Sequence, residues 1–122
     1  MFIYQMRGND GLGIFDSAMN PLAPATYIHN LTTILADPNP SKNPTPPAVT
    51  VTGTSDTDHW FVLQKGDASN WLVMFADRPA NELSEKWSFD KMPKAVFDPT
   101  LGTSSTGTTL PALTDHMLVV KF

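Results

Sequence analysis

Cysteine is absent from the 122-residue chain. That lack removes disulfides, cysteine-ligated zinc and thiol nucleophiles from consideration. Charge is scarce as well: 8 Lys and Arg against 12 Asp and Glu make up 16% of the residues, with a net charge of −4, where an ordinary domain carries about a quarter. The basic residues Arg7, Lys42, Lys65, Arg78, Lys86, Lys91, Lys94 and Lys121 are scattered, and the closest group, Lys86, Lys91 and Lys94, is interleaved with Glu85 and Asp90. Nucleic-acid binding needs clustered cations to displace phosphate counterions, so no nucleic-acid partner is expected. Glutamate occurs only as Glu82 and Glu85, which gives no support to a glycosidase with carboxylates facing each other across a sugar.

Long apolar runs are missing too. None approaches the roughly 20 residues of a membrane span, and Met1 to Arg7 lacks the basic start and apolar stretch of a secretory signal. The expectation is a soluble protein made in the cytoplasm, without membrane insertion. The closing run His116 to Phe122 superficially resembles the last strand of an outer-membrane barrel, but a packed final strand is the simpler reading. The Gly-x-Ser-x-Gly elbow, the phosphate-binding loop, the dinucleotide fingerprint and the paired-histidine zinc motifs are all missing. No internal repeat stands out.

What fills the chain instead is Thr, Ser, Asn and 11 prolines. Residues 1–122 read as one β-rich domain. Phe2, Tyr4 and Met6 alternate with Ile3, Gln5 and Arg7, Gly8 to Gly11 supplies turn residues, and Leu12 to Phe15 resumes an apolar run, so the spacing predicts an amino-terminal hairpin. Residues 25–36 are ambiguous. Tyr27, Leu31, Ile34 and Leu35 fit one face of a helix, while the Thr and Ile content favours a strand, which is the reading adopted. In residues 37–47 five of eleven are proline, so an extended arm is expected. His59 to Gln64 and Trp71 to Ala76 are the strongest apolar runs, separated by a polar connection, and should form the centre of the core as a hairpin. Short strands are expected at 48–54, 86–89, 94–97 and 115–122, one helical turn at 78–83, and a Thr, Ser and Gly loop at 98–111. The fold class expected is all-β, a small antiparallel β-sandwich or partly open barrel with long Pro-rich and Thr/Ser-rich loops.

Side-chain clusters offer little chemistry. Asp56-Thr57-Asp58-His59 combines two carboxylates and an imidazole, yet Asp-x-Asp is ordinary turn and capping chemistry, and no calcium-loop register follows. His29, His59 and His116 are far apart in sequence. Asn30-Leu31-Thr32 matches a glycosylation sequon that a cytoplasmic product would not use. No catalytic residue, cofactor or metal is therefore expected, and the protein reads as a non-enzyme. Trp60 and Trp71 lie in the most apolar runs and read as core, whereas Trp87 has polar neighbours and is the best candidate for an exposed contact. Pro44, Pro46 and Pro47 are the other candidate contacts, because a proline arm can be laid on a neighbouring subunit at reduced entropic cost.

The stretch Gly11-Leu-Gly-Ile-Phe-Asp-Ser-Ala-Met-Asn-Pro-Leu22 resembles the amino-terminal hairpins of small bacteriophage virion proteins, and so does the wider character of no cysteine, few charges and plentiful Thr, Pro and Asn. The resemblance implies a structural component of a virion, such as a tail, baseplate, fibre-associated or head-decoration protein. Its partners would be other virion proteins and copies of itself in a homo-oligomer. The rival expectation is a carbohydrate-binding module that meets host-surface glycans through exposed aromatics.

Overall fold

The computed structural model describes residues 5–7, 13–52, 56–77, 88–106 and 117–122. Its elements in chain order are β1 (Gln5–Arg7), β2 (Gly13–Phe15), α1 (Ala23–Leu35), β3 (Val51–Thr52), β4 (Asp58–Gln64), β5 (Asn70–Ala76), β6 (Ser88–Phe89), β7 (Ala95–Asp98), β8 (Thr103–Thr106) and β9 (Leu118–Lys121). The fold is mostly β, as expected, with one helix among the described residues.

The main sheet is open and antiparallel, in the order β4-β5-β9-β7-β8. The two apolar runs pair as a hairpin with Asp58 opposite Ala76 and Gln64 opposite Asn70. Its turn is built by residues that suit it. Lys65 N–H donates to the Ser69 carbonyl and Ala68 N–H to the Lys65 carbonyl, both at 2.9 Å, and Ala68 takes the left-handed φ of 63° that closes a three-residue hairpin loop. The Asp67 carboxylate accepts from the Ser69 N–H and hydroxyl.

Side chains alternate across the sheet, and both faces are covered. Leu72, Met74, Val96, Leu118, Val120 and Phe122 form one cluster, against which Val49, Val51 and Phe89 pack. Val51 and Phe89 belong to the two-stranded ribbon β3–β6, and Phe89 meets Phe122 edge-on with ring centroids 5.6 Å apart. Trp71, Val73 and Val119 form the cluster on the opposite face, under Leu31, Ile34 and Leu35 of α1. Strands β5 and β9 are thus apolar at almost every position because neither face meets water, and each such side chain contributes about 1.5–3 kcal/mol by burial.

Three sequence expectations are corrected. Residues 23–35 are helix, where strand was expected over 25–36. Pro24 in the first turn pre-sets the helical φ, and the Thr32 hydroxyl bonds back to the Ile28 and His29 carbonyls at 2.8 and 3.0 Å, which accommodates a strand-favouring residue. Packing of Leu31, Ile34 and Leu35 on the sheet outweighs local preference. The helix stops before Pro38, since the residue ahead of a proline resists helical geometry.

The amino-terminal hairpin is not formed, because β1 and β2 pair in parallel, Gln5 with Gly13 and Arg7 with Phe15. Turn residues permit a reversal without forcing one, and the direction of β2 is set from its other end. There the Asp16 carboxylate accepts from the Ala18 and Asn20 N–H groups, both at 2.8 Å, and from the Asn20 amide at 2.9 Å. Leu22 N–H then returns to the Ile14 carbonyl at 2.8 Å. The expected loop at 98–111 also changes: Thr103–Thr106 is a strand paired with β7, entered through Gly102 at φ 65°. Thr is a good strand former, and low complexity disguised it. Residues 107–111 of that loop, the helical turn expected at 78–83 and the first residues of the strands expected at 86–89 and 115–122 lie outside the described residues.

Candidate functional site

Helix α1 crosses its face of the sheet diagonally. Near one corner the Asn30 side-chain amide donates to the Pro99 carbonyl at 2.8 Å, and at the opposite corner Lys65 Nζ donates to the Ile34 carbonyl at 2.7 Å. The register places those corners at opposite ends of the strands. One other corner is therefore left uncovered by the helix, at the outer strand β4.

Alternation along β4 puts His59, Phe61 and Leu63 on the helix side, opposite Phe75, Val73 and Trp71, and Trp60 and Val62 on the ribbon side. Phe61 is 47% exposed, Trp60 39% and Leu63 36%. The His59 ring lies 5.1 Å from that of Phe75, and its Nε2 is 2.9 Å from Asp77 Oδ2, an ion pair when the imidazole is protonated. The helix side of this edge thus exposes Phe61 and Leu63 beside the His59–Asp77 pair, while Trp60 is exposed on the other side of the strand. No Lys, Arg or Pro interrupts Asp58–Gln64, and those are the residues with which natural proteins usually guard an outer strand against pairing.

The Asp56–His59 cluster is dispersed by the strand it opens. Asp56 is exposed, Asp58 is buried and His59 turns to Asp77. Among the described residues no group of three His, Cys, Asp or Glu side chains converges as a metal site would require. His29 sits on the exposed side of α1, and the sequon residue Asn30 spends its amide on Pro99. Trp71 is core, as expected, and Lys65 Nζ lies 4.0 Å from its ring centroid. Burial beside that ring holds the Lys65 ammonium below the ordinary lysine pKa. Trp60 departs from expectation, because an outer strand with an incomplete cover leaves its ring half in water. Trp87, His116, Glu82 and Glu85 lie outside the described residues.

The arm is extended, without helix or strand from Ala36 to Thr50, and it is bound to its own domain. Gly66 N–H donates to Asp37 Oδ2 at 2.9 Å, and Thr45 N–H donates to Gln64 Oε1 at 2.9 Å while Gln64 Nε2 returns to the Thr45 carbonyl at 3.3 Å. It wraps the β4–β5 turn, from the end of α1 to Val49 and Val51 on the other face. Pro44 and Pro46 remain exposed, and Pro47 is half-buried.

A second apolar feature lies at the start of α1. It is an open hollow of about 220 Å³ lined by Pro24, Tyr27, Ile28, Leu31, Pro99 and Met117, among others. Among the described residues no helix is long and apolar enough to cross a membrane. No protein-family model matches the chain, and no curated protein matches its sequence.

Proposed function

We propose that this domain is an assembly protein, a structural component of a bacteriophage virion of the tail, baseplate, fibre-associated or head-decoration kind, located in the particle. It works by repeated association with copies of itself and with other virion proteins. The observation that carries the assembly reading is the β4 edge, where Phe61 and Leu63 on one face and Trp60 on the other stand exposed on an outer strand that holds no Lys, Arg or Pro. Burying such an edge against another subunit is favourable at about 25 cal/mol per Å² of apolar area. A second copy suits it because a two-fold related neighbour presents the same apolar edge. The virion reading rests on the sequence resemblance of residues 11–22, on the scarcity of charge and on the absence of cysteine. Of that stretch the strand β2 and the Asp16-centred turn are described, and β2 pairs with β1 in parallel and not as a hairpin. We read the β3–β6 ribbon as a reduced second sheet, which makes the domain a lopsided sandwich.

Light scattering of the purified chain tests assembly. A molar mass at a multiple of 13.4 kDa is expected, and a monomer at high micromolar concentration contradicts it. The neighbouring genes test the virion reading, which fails if they encode a metabolic pathway. Sugar recognition keeps one observation in its favour, the half-exposed ring of Trp60. Glycan-array binding lost in Trp60→Ala would replace the assembly reading with that one.

A further inference from the structure

The apolar hollow at the start of α1 has a protruding leucine beside it. The hollow is open, holds about 220 Å³ and is lined from the helix by Tyr27 and Ile28 and from the strand ends by Pro99 and Met117. Leu101 follows in the same turn as Pro99 and is 65% exposed. That turn is firmly held. The Asp98 carboxylate accepts from the Thr100 N–H at 2.8 Å, from the Thr100 hydroxyl and from the Leu101 N–H at 3.2 Å, and the Asn30 amide donates to the Pro99 carbonyl at 2.8 Å. A leucine fixed in water by its backbone is a preorganised contact, because much of the ordering cost of binding is met before a partner arrives.

Charge indicates what that partner is. Residues 17–36 and 99–114 are the two longest stretches of the chain without Asp, Glu, Lys or Arg, and no residue lining the hollow carries a charge. Asp98, the acid next to it in sequence, is turned onto its own backbone. Across a two-fold axis each charge near the axis meets an image of its own sign, which is costly, so a charge-free corner is where a copy of the same chain docks without that penalty. Knob and hole on one surface also satisfy the rule of a two-fold contact, that residue i touches j while j touches i. An apolar cavity of about 150 Å³ accepts a benzene-sized group, so the hollow has room for a leucine side chain.

We infer that this corner is a self-association surface, on which Leu101 of each of two copies enters the other's hollow about a two-fold axis. This rests on the reading of the domain as an assembling subunit, and it adds a second joint between subunits besides the β4 edge. In the sheet order β4-β5-β9-β7-β8 the turn that carries Leu101 and strand β4 lie on opposite sides, so the two joints serve different neighbours. Used in alternation they link subunits into species larger than a dimer, a closed ring or an open chain.

Two charge variants test the joint. Leu101→Lys changes an exposed turn residue and Tyr27→Glu a residue 40% exposed on the helix, so each should keep the unfolding midpoint of the wild-type chain. Light scattering of either variant alone, at a concentration where the wild-type chain is oligomeric, should show a lower mass, with association weakened at least tenfold. Mixed in equal amounts the two should recover the larger species. The introduced lysine of one copy then meets the introduced glutamate of the other, while the reverse insertion, native Leu101 into a native hollow, is untouched. Unchanged mass in either variant, or a fall that mixing does not recover, overturns the hollow joint and leaves β4 association standing. If one variant fails to fold, the mass of the other decides. A wild-type chain that is monomeric at high micromolar concentration removes both joints.

Discussion

Gly66→Ala is the substitution whose consequence the structure specifies most closely. A Cβ built at residue 66 falls 1.6 Å from the Asn39 carbonyl oxygen and 2.7 Å from its carbon. Both are backbone atoms, so no rotamer relieves the clash, and the arm must retreat by about 1.4 Å before the nearer contact reaches even 3.0 Å. Such a retreat stretches the 2.9 Å bond from Gly66 N–H to the Asp37 carboxylate. Overpacking of this kind costs about 1–3 kcal/mol, the weakened charge-assisted bond adds to it, and the stiffer unfolded chain of alanine returns about 0.4–1 kcal/mol. A net loss of about 1–2 kcal/mol is expected in urea unfolding followed by tryptophan fluorescence. Asp37→Ala removes the bond without the clash and should cost less. In the double variant the two effects should fall short of additive, since both act on one contact. If Gly66→Ala matches or exceeds wild-type stability, as at an ordinary loop glycine, the arm does not lie on the turn.

Other perturbations read other parts. Ala68→Gly relieves a left-handed φ of 63° and should raise stability by about 0.5–1 kcal/mol in the same assay; a loss would mean the turn has another shape. Asn30→Ala removes the amide bond to Pro99 and should cost about 1 kcal/mol, with no effect if the helix does not reach that corner. Hydrogen bonds from the Asn20 side chain, then the Asn20 and Ala18 N–H groups, hold the Asp16 carboxyl below its ordinary 3.8, and the Ser69 hydroxyl and N–H do the same for Asp67. A carboxyl depressed in the folded state contributes stability that is present above its unfolded pKa and lost as pH falls through the folded one. Both contributions should therefore be present above about pH 3.8 and be lost progressively as pH falls below it through the lower folded-state values, and Asp16→Asn should flatten the acid limb of a stability profile between pH 5 and 2.

The hairpin of β4 and β5 was legible in the sequence because two apolar runs flank a six-residue, mostly polar connection, a local pattern with local cause. The order of the sheet was not. Strand β9 comes from the end of the chain and inserts between β5 and β7, and no short-range pattern encodes which neighbour a strand will find. For the same reason Trp60 and Trp71 looked alike, although one lies on the outer strand and the other beneath α1. The helix was hidden by the Thr and Ile content of residues 25–36, yet its Leu31, Ile34 and Leu35 spacing was visible and proved the stronger signal. The β4 surface emerges only when that sheet order and the diagonal of α1 are combined, while the absence of Lys and Pro from residues 58–64 was readable from the start.

Phe61→Lys tests the central claim most directly. Phe61 points from an outer strand into water over nearly half its surface, so a lysine there should change folding stability by no more than about 0.5 kcal/mol while placing a charge in the middle of the association surface. The account predicts that light scattering, at a concentration where the wild-type chain is oligomeric, finds the variant shifted towards the 13.4 kDa monomer with its unfolding midpoint retained. An oligomer of unchanged mass would contradict it, because assembly would then run through some surface other than β4.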